Sequence, residues 1–316
     1  MRVIDWRTAD AADVDDMFAA EILRWHDALG WDAGETWQQV DDARRAGVLH
    51  GYVALDASGR IAGWTFFLRD AQALQIGALN STAPGVAGLL LDAVLASPLA
   101  EDASSTLFFG FPNASDVDTL LAARGFDVER YLYLERSTAG FTASPQAASW
   151  RDSRRDAVAT LLSESYDGDR SRAFARDGGF DGWRDYVHKL VTTVGCGRFL
   201  AEGCQLIERD DDRLDAVVLT TRIGTHTVHV PQVAVARHAR GRGLAAQLLG
   251  AALGAAHDAG YTRATLLVGE RNASARRVYT KLGFLEKAAF ISARKECASA
   301  RQIGQTLRDQ SLVLGS

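Results

Sequence analysis

Residues 233–245 read Val-Ala-Val-Ala-Arg-His-Ala-Arg-Gly-Arg-Gly-Leu-Ala, and this stretch limits the folds open to the chain more than any other. Ahead of it Val228, Val230, Val233 and Val235 form an apolar run that reads as a strand. Behind it Leu244, Leu248, Leu249, Ala252, Leu253 and Ala256 recur at helical spacing until Gly260. The first N–H groups of such a helix lack intrahelical partners and carry the positive end of its dipole, so they face whatever lies over the turn. That is a site for an anion. Gly241 and Gly243 let the backbone take unusual angles and let a ligand come close, while Arg240 and Arg242 add charge. A pyrophosphate is the natural guest.

Two glycines in a tight connection with solvated arginines would be an equally good account of the turn if it stood alone. A second motif follows it. After a strand through Ala264, Leu266 and Val268 comes Asn-Ala-Ser-Ala-Arg-Arg-Val-Tyr-Thr-Lys-Leu-Gly-Phe, from Asn272 to Phe284. Together the two resemble the signature of the GNAT superfamily of acyl-CoA-dependent N-acyltransferases: a strand, Gln/Arg-x-x-Gly-x-Gly/Ala, a helix, a strand, and Asn-x-x-Ala-x-x-x-Tyr-x-x-x-Gly-Phe. His238 stands where the pattern has Gln or Arg, and main-chain groups supply most of the phosphate contacts, so cofactor binding survives that departure. The resemblance covers roughly residues 150 to 295. It implies a mixed α/β (α+β) fold, a mostly antiparallel central sheet flanked by helices, and acetyl-CoA as the acyl donor.

The first half of the chain repeats this plan in weaker form. Trp6-Arg7 answers Trp150-Arg151, and Gly125-Phe126 answers Gly283-Phe284. Where the phosphate turn belongs, the chain has Asn80-Ser81-Thr82-Ala83-Pro84-Gly85, with one glycine and no arginine. Where Tyr279 belongs it has Leu120 or Leu121. We therefore expect two GNAT-like modules, a tandem layout similar to that of the mycothiol synthases: a degenerate module at 1–136, a Ser/Thr/Pro-bearing linker at 137–149, a working module at 150–298 and a tail at 299–316. In the second module the first two helices of the resembled fold cover the acceptor. There Phe174, Phe180, Trp183 and Tyr186 are candidate pocket walls and Asp167, Asp169, Asp177, Asp181 and Asp185 candidates for attracting a cationic amine, each equally readable as packing or solvated surface.

The chemistry that the resemblance implies needs main-chain groups for the pantetheine, a proton for the departing thiolate and a neutral amine. The strand before the turn splays from its neighbour in the family, which implicates Val233, Ala234 and Val235; Pro231 cannot donate a ladder hydrogen bond and makes a break there plausible. His238, Arg240, Gly241, Arg242, Gly243, Leu244 and Ala245 hold the pyrophosphate, and Asn272 contacts the pantetheine or acceptor. Tyr279, two helical turns on, is the general acid, since an unperturbed phenol with a pKa of about 10 is protonated at neutral pH. For the base, His229 lies an even six residues before Val235 and so shares its face unless a bulge intervenes; His226, Gln232 and a water relay compete with it.

Composition bounds the partners. A net charge of −5 over 316 residues argues against nucleic acid. No apolar run approaches 18 residues and no leader opens at Met1, so a cytoplasmic protein without membrane or metal partners is expected, as monomer or homodimer. Cys196, Cys204 and Cys297 lack metal-ligand spacing and read as reduced thiols. An Arg- and Ala-rich composition points to a bacterial source. The expected activity is N-acetylation of a primary amine on a small metabolite or amino acid; a non-catalytic acyl-CoA sensor and a protein or peptide N-acetyltransferase are the alternatives.

Overall fold

The structure is a computed structural model and describes residues 1–70, 72–141, 147–166, 179–209 and 213–296. The tail at 299–316, Cys297, Phe174, Asp167, Asp169 and Asp177 lie outside the described residues. Two compact units are formed, and they interleave along the chain. One takes Met1–Glu21, Trp37–Tyr131 and the described residues from Ala289; the other takes Ile22–Thr36 and Leu132–Ala288.

In the first unit β1 (Arg2–Asp5), α1 (Ala11–Leu29, to Glu21 here), α2 (Gly34–Arg45, from Trp37 here), β2 (His50–Leu55), β3 (Ile61–Asp70), β4 (Ala73–Ser81), α3 (Val86–Leu95), α4 (Pro98–Glu101), β5 (Ser105–Gly110) and α5 (Val117–Ala123) follow in order. β1 to β4 pair antiparallel, and β5 runs parallel to β4. Leu74, Ile76 and Leu79 of β4 and Phe108 of β5 face Val86, Leu90, Leu91 and Val94 of α3 and Leu121 of α5. The opposite side carries Trp6, Phe18, Trp37, Trp64 and Phe66 in mutual ring contact.

In the second unit β6 (Asp127–Ser137, from Leu132 here), β7 (Ala148–Ser149), α6 (Arg155–Tyr166), α7 (Phe180–Thr192), β8 (Arg198–Phe199), β9 (Gln205–Glu208), β10 (Leu214–Arg222), β11 (Thr227–Val235), α8 (Leu244–Asp258), β12 (Arg263–Gly269) and α9 (Ala273–Lys281) build a sheet in the order β7-β9-β10-β11-β12-β6. Only β11 and β12 among the registered pairs of this sheet run parallel. α8 lays Leu248, Leu249, Ala252, Leu253 and Ala256 on Val228, Val230, Ala264 and Leu266; α6 and α7 cover the other side with Leu161, Leu162, Trp183, Val187 and Leu190 over Val217, Leu219 and Ala234. The mostly antiparallel sheet with helices on both faces is the architecture expected from sequence. The expected boundaries treat each half as contiguous, whereas β13 (Leu285–Glu296), late in the second half, pairs through Ile291–Glu296 with β5 of the first unit, and β6, from the first half, lies beside β12 in the second.

The internal repeat extends to backbone detail. α5 and α9 each end in a left-handed glycine, Gly125 at φ 81° and Gly283 at φ 84°. The next residue in each case reaches back five positions, Phe126 N–H to Leu121 O and Phe284 N–H to Tyr279 O. This register decides that Leu121, fully buried, stands in the place of Tyr279. In β4 the pairing with β3 slips between Phe66–Ala78 and Phe67–Ile76, leaving Gly77 as the extra residue of a bulge. A Cβ on Gly77 would sit 2.0 Å from the ring of Phe66. Gly77→Ala should therefore destabilise the protein by about 1–3 kcal/mol through overpacking, and Phe66→Leu in the same chain should recover part of the loss; denaturant midpoints measure both.

Candidate active site

The pairing of β11 changes character in its middle. Leu219 pairs with Gln232 but Thr221 with His229, so β11 carries one extra residue in the Val230–Pro231 region. Val228 and Val230 point to the α8 side before the bulge, and Val233 and Val235 do so after it. The parallel ladder to β12 runs from Thr227–Arg263 to Val230–Leu266 and stops there. Beyond that point the two strands form a fork. Ala236 N–H donates to Asp215 O, and ladder bonds alternate along an antiparallel pair, so Ala234 is bonded to β10 while the N–H and C=O groups of Val233 and Val235 face the fork. Of the three residues expected to offer main-chain groups, Val233 turns its N–H and C=O toward the fork and Val235 its N–H, while the Val235 carbonyl accepts from Arg240 and Ser165; those of Ala234 belong to the β10 ladder.

β11 leads into the glycine turn. Gly241 and Gly243 have φ values of 78° and 80°, the left-handed region that other residues enter at a cost, and a Cβ on either would meet nothing within 4 Å. Gly243 caps α8, which presents the amides of Leu244 and Ala245 toward open space. Arg242 is exposed over this turn. Two other side chains assigned to the anion have different employment. Arg240 donates from Nε to Val235 O at 3.2 Å and from Nη2 to Ser165 O at 3.1 Å, tying the end of α6 to the fork. His238 lies 2.9 Å from Asp215 Oδ1 and 3.3 Å from Arg209 Nη1. Of the three cationic side chains expected at the anion, Arg240 and His238 are thus held by protein groups, and Arg242 is exposed at the turn.

α9 supplies the other wall. Asn272 is its N-cap, accepting from Ala275 N–H at 3.1 Å, which commits Oδ1 to the helix start. Tyr279 is buried against Phe284. Burial first, and the nearby Tyr166 phenol second, push its hydroxyl well above the usual phenol range, so it carries its proton throughout the neutral region. Across the strand, Tyr166 O–H donates to Gln232 Oε1 at 3.0 Å and Gln232 Nε2 donates to the Tyr186 hydroxyl oxygen, Oη, at 3.1 Å. Trp183 stacks on Tyr166 at 5.0 Å and meets Tyr186 edge-on at 5.4 Å. The sequence points to Trp183 and Tyr186 but not to Tyr166, because nothing local joins Tyr166 to Gln232, 66 residues away. Of the other expected acceptor-side residues, Asp181 pairs with Arg184 and Asp185 with Lys189, both pairs exposed, and Phe180 is 39% exposed.

His229 is placed otherwise than its even offset implies. The bulge inverts the parity, putting His229 on the face of Gln232 and opposite to Val235. Its ring is enclosed by Trp31 at 5.5 Å and Tyr133 at 6.0 Å, and Nδ1 lies 2.9 Å from Thr265 Oγ1. Burial lowers its pKa to about 3, far from the value a base at neutral pH requires. The environment is that of a packing residue. A histidine buried in its neutral form favours folding above its unfolded pKa of about 6.5, and that contribution is lost as pH falls from there toward about 3. Stability measured by denaturation should fall across that window, less steeply in His229→Gln, while any pH–rate profile above pH 7 stays unchanged.

Among the described residues no group of His, Cys, Asp and Glu is arranged to hold a metal, and no helix is long and apolar enough to cross a membrane. Cys196 and Cys204 are free thiols, raised by burial to about 11 and about 12, which keeps them protonated at neutral pH.

Residues 156–284 match the model of the acetyltransferase (GNAT) family. Solved structures share the fold over most of the chain. A GCN5-related N-acetyltransferase from Sphaerobacter thermophilus aligns with 93% of this chain and 95% of its own at 16% identity and a TM-score of 0.65. A glucosamine N-acetyltransferase region of a fungal multi-domain beta-N-acetylglucosaminidase aligns with 93% of this chain and 38% of its own, at 15% identity and 0.62. A tandem GNAT protein from the clavulanic acid biosynthesis pathway aligns with 78% and 82%, at 16% identity and 0.54. No curated protein matches. The fork, the glycine turn and the capped helix bearing Tyr279 all lie inside residues 156–284, the segment that matches the acetyltransferase (GNAT) family, and the chain shares its fold with solved GNAT structures, a tandem one among them.

Proposed function

We propose that the second unit transfers the acetyl group of acetyl-CoA to the primary amine of a small metabolite or amino acid, directly and in a ternary complex. The observation that carries this reading is the continuity of the fork with the turn: the main-chain groups of Val233 and the N–H of Val235, turned away from the β10 ladder beyond the end of the β12 pairing, lead straight to two left-handed glycines and a helix N-terminus. An elongated donor with a diphosphate at one end and amide groups along its length is matched by such a surface.

When bound, acetyl-CoA supplies a thioester whose carbonyl carbon accepts the amine and whose sulfur departs as a thiolate. The chain's own groups serve each need. The amides of Gly241 to Ala245, with Arg242, hold the diphosphate. Val233 N–H, fixed in the fork, is the donor toward the negative charge that grows on the carbonyl oxygen, and being preorganised it needs no rearrangement as the charge forms. Tyr279 gives its proton to the sulfur, and the proton shed by the amine nitrogen after the C–N bond forms restores the phenol, so the thiol formed and the amide balance the thioester and amine consumed. The first unit lacks this set. Leu121 replaces the phenol, and Asn113 Oδ1 accepts from Ser81 N–H at 2.8 Å, occupying a main-chain donor at the end of the corresponding strand. We assign it a scaffolding role.

A mass-spectrometric screen of primary amines with acetyl-CoA tests the reading, since a sensor would bind the donor and form no acetylated product. Tyr279→Phe should lower kcat by about 10²-fold with donor affinity within twofold of the parent; equal losses in both would make Tyr279 a packing residue. Gly241→Trp, which adds bulk where a Cβ meets open space, should abolish acetyl-CoA binding in calorimetry, and unchanged affinity would remove the turn from the site.

A further inference from the structure

The last turn of α6 is held onto the unpaired stretch of β11 at both its ends. At one end Ser165 Oγ donates to Val235 O at 3.4 Å and Arg240 bridges the same carbonyl to Ser165 O. At the other, Tyr166 reaches Gln232. Gln232 is 3% exposed, so its amide orientation is set by protein groups and not by water. A primary amide has one accepting oxygen and one donating nitrogen. Because Nε2 faces Tyr186, the oxygen faces Tyr166, and an oxygen cannot donate. The Tyr166 hydroxyl proton is therefore committed to Gln232. Toward any further neighbour this phenol offers only lone pairs. Trp183, stacked on Tyr166 and edge-on to Tyr186, locks both rings in this arrangement.

Attack on the thioester requires the amine to point its lone pair at the carbonyl carbon, which turns its N–H bonds away and leaves them in need of an acceptor. A protonated phenol serves that need for a neutral amine. A carboxylate would serve an ammonium ion better, and an ammonium ion cannot attack. We infer that Tyr166 contacts the acceptor amine by accepting one of its N–H bonds, and that Gln232 is the positioning residue that keeps the phenol oxygen in the accepting role. This rests on the amine acetylation proposed above and names the groups that would recognise the amine in its reactive form. The Tyr166 phenol lies within electrostatic reach of Tyr279.

Steady-state kinetics with a primary amine that the parent acetylates, run beside acetyl-CoA titrations, separates this from a structural role. Tyr166→Phe keeps the ring stack and removes the oxygen; the amine KM should rise about tenfold or more, with acetyl-CoA KM within twofold. Gln232→Leu should do the same. Gln232→Glu, whose carboxylate still accepts from Tyr166, should return the amine KM to within about threefold of the parent. An amine KM unmoved in Tyr166→Phe, or a rise shared equally by both substrates, overturns the inference while leaving amine acetylation standing. A parent chain that binds acetyl-CoA but acetylates no amine overturns both.

Discussion

A parallel pair of strands that stops after four residues governs what the second unit can do. Backbone N–H and C=O groups inside a fold are nearly always paired, and a ladder broken in mid-strand leaves groups that must find other partners. Between β11 and β12 the break coincides with a bulge at Val230–Pro231, where proline withdraws one donor and the extra residue swings the strand. The cost of unpaired main chain is what a ligand rich in amide groups can offset. The gap is thus at once a local defect in the sheet and the feature that gives the unit a use.

The first unit shows the same defect, and the function proposed above assigns no ligand to it. β4 bulges at Gly77, its parallel pairing with β5 ends at Ile76–Phe108, and Gly85 at φ 78° begins α3 as Gly243 begins α8. The backbone plan therefore survived in both halves. What differs is side-chain chemistry: a leucine for the phenol, no arginine at the turn, an asparagine side chain on the end of the strand, and five packed aromatic rings on the face where the second unit has two phenols, an indole and an amide. Apolar rings need no polar partner and gain their stabilisation from burial alone, which suits a scaffold. The phenols and amide of the second unit demand mutual hydrogen bonds, and satisfying them imposes a single orientation on the cluster.

Charge plays a smaller part in the donor site than the turn sequence implies. Arg240 spends its donors on carbonyls of β11 and α6, and His238 on Asp215, so both shape the cradle without entering it. Their work is geometric. Arg240 fixes the end of α6 against β11, where Ser165 and Tyr166 also attach, and His238 ties the turn to Asp215.

Periodicity, glycine placement and two spaced motifs were enough to read the mixed fold, the repeat, the strand–turn–helix unit and the placing of Asn272 and Tyr279 on one later helix, because each depends on neighbours within one or two elements. The left-handed angles of Gly241 and Gly243 are of this local kind. Other features escaped the sequence because they are decided by residues far apart in it. The exact site of the bulge, one residue in a nine-residue strand, reverses which side chains share a face, and so His229 went from candidate base to enclosed ring. The exchange of β6 and β13 between the units follows from which edge each strand pairs with, and no composition shift marks it. The Tyr166–Gln232–Tyr186 chain joins three elements by hydrogen bonds that only the folded backbone brings within 3.1 Å. Local chemistry was written in the chain order; the partners of buried polar groups were settled by packing, since only there does each donor meet the one acceptor that excludes water.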